Sequence, residues 1–62
     1  MAKYATMEWD DGTGCSVISL EDVKEPRKGL HEYVVGEVVS KARCRGFPGF
    51  FSGTILELSG KF

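Results

Sequence analysis

The chain has 62 residues, of which 42% are hydrophobic and 27% charged, and its formal net charge is −1. So short a chain makes one small domain with a modest core and leaves little room for a large enzymatic cleft. The near-neutral total excludes a simple polycation that coats nucleic acid or a lipid surface, and the apolar-to-charged balance is that of a folded domain, not a disordered one.

No apolar run approaches a membrane span and no charged-then-apolar leader stands at the start, so the expected setting is intracellular, with no membrane partner. Cys15 and Cys44 are isolated in sequence and lack the density of a disulfide scaffold; free, buried thiols in a reducing compartment are expected. Charge is unevenly spread. Residues 1–25 carry Glu8, Asp10, Asp11, Glu21, Asp22 and Glu25 against Lys3 and Lys24, whereas residues 26–62 carry six cations against three glutamates. Either the two halves pack against each other or the folded surface has two differently charged rims.

Four segments read as strands. In "KYATMEW", Ala5, Met7 and Trp9 alternate with Tyr4, Thr6 and Glu8, the period of a half-buried strand. "DDGTG" supplies residues that tolerate positive φ and predicts a hairpin. "CSVISL" is the returning strand, with Ile18 and Leu20 on one face, and the Leu20 to Val23 spacing in "SLEDV" fits one helical turn. "KEPRKGLHE", broken by Pro26 and Gly29, reads as a linker. "YVVGEVVSKARC" is rich in β-branched residues and is expected to be the longest strand, bent or bulged at Gly36. "RGFPGF" is a loop and "FFSGTILEL" the last strand. Strands of this length and spacing in so short a chain predict an all-β fold, a small, strongly bent barrel.

Two stretches carry a family resemblance. "VGEVVSKARCRGFPGFFSGTILEL" resembles the opening half of a Tudor domain, with its Val-Gly start, strand, short loop and aromatic-x-Ala-x-Ile strand; the last reads Phe51, Ser52, Gly53, Thr54, Ile55, with glycine for alanine. "YATMEWDDGTGCSVISLEDV" is similar to the closing half, in which a strand ends in an aromatic, an Asp-Gly turn follows, and a second strand runs into a one-turn helix. Together they cover about three quarters of the chain. The halves stand in reverse order, which implies a circularly permuted, SH3-like five-stranded barrel within residues 1–62. Residues 1–25 would be the Asp-Gly half, 26–33 the connection and 34–62 the Val-Gly half, with "LELSGKF" and "KYATMEW" as antiparallel neighbours. A strand-exchanged dimer is the alternative to a monomer.

Tudor-like domains bind methylated lysine or arginine in an aromatic cage, where ring faces hold a cation that has lost hydrogen-bond donors. By resemblance, Trp9 and Phe51 are cage walls and Asp10 and Asp11 the acidic rim. An aromatic usually found at the end of the family's first strand is missing near Arg43 or Cys44, leaving Phe47 and Phe50 as substitute walls. Trp9 as a plain packing residue is the competing reading. The resemblance thus implies a non-catalytic module of a nuclear or chromatin-associated protein whose partner is a protein or histone-like peptide. Lys41, Arg43 and Arg45, at alternate positions, are candidate nucleic-acid contacts if their segment stays extended, and self-association is the third reading. His31 is the only histidine. With no second histidine, no close cysteine pair and no Gly-rich phosphate loop, neither metal, cofactor nor enzymatic activity is expected.

Overall fold

The computed structural model describes residues 2–29 and 31–60. Strand β1 (Tyr4–Trp9) turns through a hairpin into β2 (Cys15–Ser19), a 3-10 helical turn (Leu20–Asp22) leads into β3 (Val23–Glu25), and β4 (Val38–Ala42) and β5 (Phe51–Ser59) follow. All pairs are antiparallel, in the order β2-β1-β5-β4-β3, so the hydrogen-bonded sheet is open with β2 and β3 at its edges.

The alternation in β1 does what its sequence predicts. Ala5, Met7 and Trp9 are buried and meet Ile18, Leu20, Val23, Tyr33, Val39, Ala42 and Ile55 in one core. Each fully buried aliphatic side chain, such as Leu20 or Ile55, is worth about 2 kcal/mol over its exposed state. The expected pairing of the chain's two ends is present: Ala5 faces Leu58 and Tyr4 faces Ser59. Lys61 and Phe62, in the same predicted segment, lie outside the described residues. A register shift between Thr6 and Met7 leaves Leu56 unmatched, so Ile55 and Leu58 both face inward while Leu56 is exposed.

Two strand predictions need correction. The segment expected to be the longest strand is strand only from Val38 to Ala42, and β5, with nine residues, is the longest. The cause lies at Gly36. Its φ of 91° suits the third position of a turn closed by Glu37 N–H donating to Val34 O at 3.2 Å. Gly36 N–H then donates to Ile55 O and Ile55 N–H to Glu37 O, so two residues oppose one in a glycine bulge. The second correction is β3, where the sequence predicts the end of the helical turn and the start of the linker. Val23 pairs with Ala42 and Glu25 with Lys41, a partnership no local pattern reveals in three residues.

Tyr33 ties the linker to the core. It is 3% exposed, and its hydroxyl donates to Pro26 O at 2.9 Å while accepting from Lys28 N–H at 3.0 Å. Tyr33→Phe strands both backbone groups and is expected to cost about 1–2 kcal/mol in chemical denaturation without altering the fold. Lys28 also pairs with Glu37, and this hydrogen bond first, with the Val34 N–H adding to it, holds the Glu37 carboxyl below its ordinary value against the opposing effect of burial.

Candidate functional site

The β1–β2 hairpin begins at Trp9, whose N–H donates to Gly14 O at 3.0 Å. Asp11 folds the turn upon itself: its Oδ1 accepts from the Thr13 backbone N–H at 3.0 Å and the Thr13 hydroxyl at 2.7 Å. Across the sheet, Trp9 pairs with Gly53, and Phe51 begins β5 on the same side of the molecule. The Trp9 and Phe51 rings stand with centroids 5.9 Å apart and planes tilted by 59°, a favourable aromatic arrangement.

These two rings form walls of a hollow of about 130 Å³. Phe47 reaches it from the loop between β4 and β5, where a turn closed by Phe47 N–H on Cys44 O carries it over; Asp11 and Thr13 supply the hairpin side, and Ser16 and Cys44 complete the lining. Trp9 is 7% exposed, so its ring is a core member that also lines the hollow.

The expected residues separate here. Trp9, Phe51, Phe47 and Asp11 meet, whereas Phe50 and Asp10 do not line the hollow. Phe50 is 55% exposed, and Asp10 uses its N–H to extend the β1–β5 ladder onto Ser52 O. Thr13, Ser16 and Cys44 were missed as lining residues. Ser16 was legible in principle, since it stands two residues before the inward-facing Ile18; Cys44, beyond the end of β4, was not. Cys15 corrects the expectation of burial: both cysteines are free thiols, but Cys15 is exposed and Cys44 only partly covered.

The cationic segment does not form the expected extended row. β4 ends at Ala42, leaving Arg43 and Arg45 in the loop. Lys41 pairs with Glu25 at 3.4 Å and Arg45 with Asp22 at 3.7 Å, so the uneven charge of the halves is partly matched across the fold. Such exposed pairs add about 0–1 kcal/mol each. Among the described residues, no three His, Cys, Asp or Glu side chains gather as a metal site.

The Asp11 carboxyl lies below its ordinary value, first because the Thr13 hydroxyl donates to it and then because the Thr13 N–H does. The rim charge is therefore present above that depressed value and fades only as pH falls through it. Thr13→Val removes the hydroxyl donor, and the Asp11 carboxyl is expected to titrate at higher pH than in the parent, read by carboxyl carbon NMR shifts.

The fold and the hollow define a small all-β domain with an aromatic, acid-edged recess. Comparison of the chain with known protein families, curated proteins and solved structures finds no match.

Proposed function

We propose that this is a Tudor-type, SH3-like domain with its halves in permuted order, acting as a non-catalytic module that binds a peptide bearing a methylated lysine or arginine. The strand order supports the permutation. With the Val-Gly half taken first, β4, β5, β1 and β2 are successive neighbours, and β3, after the helical turn, returns beside β4. The observation that carries the binding reading is the juxtaposition of the Trp9 and Phe51 rings with the ionised Asp11 around one hollow. A methylammonium suits that lining, because ring faces attract it where a bare ammonium prefers water, and a carboxylate accepts any N–H left on it. A nuclear, chromatin-associated setting rests on the resemblance alone. A nucleic-acid surface has less support, since Lys41 and Arg45 face acids of the same chain.

The test is an NMR amide titration with methylated and unmethylated lysine and arginine peptides. Shifts at Trp9, Asp11, Phe47 and Phe51 that require methylation, and that weaken about tenfold in Phe51→Ala, are expected. Shifts elsewhere, or indifference to methylation, would sink the reading.

A further inference from the structure

The two edges of the sheet are treated differently. β3 is three residues long, carries Lys24 and Glu25, runs into Pro26, and has its Val23 O occupied by Arg27 Nη1 at 3.1 Å. These are the devices by which proteins blunt an edge against further pairing. β2 has none of them: "CSVIS" is uncharged and contains no proline.

The backbone direction of β2 follows from its ladder. Trp9 N–H donates to Gly14 O and Leu20 N–H to Lys3 O, and the register between them runs unbroken from Tyr4↔Ser19 to Glu8↔Cys15. Hydrogen-bonded and non-hydrogen-bonded pairs alternate in such a ladder, so Ser16 and Ile18 turn their polar backbone groups toward β1, while Cys15, Val17 and Ser19 turn theirs outward. The side chains alternate too. Cys15 and Val17 are exposed on the outer face, and Ser16 lines the hollow.

We propose that β2 receives an extended basic peptide as a sixth strand, paired to Cys15, Val17 and Ser19, so that the peptide residue opposite Ser16 sends its side chain into the hollow. Opposed residues in a sheet share a face, which makes that residue the one carrying the methylated cation. This rests on the hollow being a cation site. Charge favours a basic strand over a second copy of this chain: residues 10–22 hold Asp10, Asp11 and Glu21, besides the Asp22 that Arg45 faces, and no lysine or arginine. A two-fold pairing about Val17 would lay the Asp10–Asp11 end of one copy near the Glu21–Asp22 end of the other.

The test separates hollow from edge. One probe is a basic twelve-residue peptide with a central trimethyllysine or dimethylarginine; the other is the same modified residue alone, capped as its acetyl methylamide. Val17→Pro deletes an outward N–H without touching the β1 ladder. It is expected to weaken the peptide about tenfold and leave the capped residue unchanged. N-methylation of the peptide's β2-facing amides should do the same to the parent protein, which covers the case of a misfolded proline variant. If the peptide binds no more tightly than the capped residue, or ignores both changes, the edge proposal falls and the hollow stands. If neither probe binds the parent protein, both fall. Concentration-dependent mass abolished by Val17→Pro would assign the edge to a second copy and overturn the peptide.

Discussion

Gly53→Ala is expected to cost about 3 kcal/mol, the upper end of overpacking, because the new methyl has nowhere to go. A Cβ at residue 53 would sit 2.5 Å from Glu8 O and 3.2 Å from Trp9 Cε3. The first contact is with backbone of the neighbouring strand, which cannot retreat without breaking the β1–β5 ladder; the second is with the ring that walls the hollow. A domain of this size has roughly 3–9 kcal/mol of stability, so the loss is a third or more of the total. Urea denaturation measures it, and a variant as stable as the parent would refute the observed register of Trp9 against Gly53. The Tudor pattern that the sequence resembles has alanine here, so the substitution that looks most conservative by resemblance is among the most damaging by geometry.

Trp9→Ala is expected to cost about 4 kcal/mol, within the range for emptying a buried aromatic site, which removes roughly half of the stability of a domain of this size and unfolds one at the low end of the range. Trp9 is nearly inaccessible, belongs to the core cluster and packs at a tilt against Phe51. Because it is the only tryptophan, far-UV circular dichroism and not intrinsic fluorescence must follow the transition. Loss of ligand in this variant would therefore say little about the hollow. Trp9→Phe keeps an aromatic wall and is the sounder companion to Phe51→Ala. If Trp9→Ala proves as stable as the parent, the ring is not a packing element and the core as described is wrong.

The two readings of Trp9 weighed in the sequence, core residue or cation wall, are not exclusive in the structure. Period-two alternation places the ring inward, and the hairpin that follows brings Asp11 and Thr13 around the part that remains accessible.

What the sequence determined by itself was the local order: the alternating face of β1, the Asp-Gly hairpin, the helical turn after β2, the bulge at Gly36 and the all-β class. Each depends on residues within one turn or one strand, where side-chain period and φ preference act directly. Only the tertiary structure decided the rest. Val23–Glu25 became a strand because Ala42 and Lys41 were beside it. Val34 and Val35 left the ladder because Gly36 took a positive φ in their turn, while Gly36 and Glu37 stayed bonded to Ile55 as a bulge. Phe50 and Asp10 were separated from Phe47 and Asp11, although each pair is close in sequence, because the hollow selects side chains by the direction of a loop and a ladder. Pairing partners and loop directions are set by contacts between distant residues, and those are energies of the assembled chain that no short stretch contains.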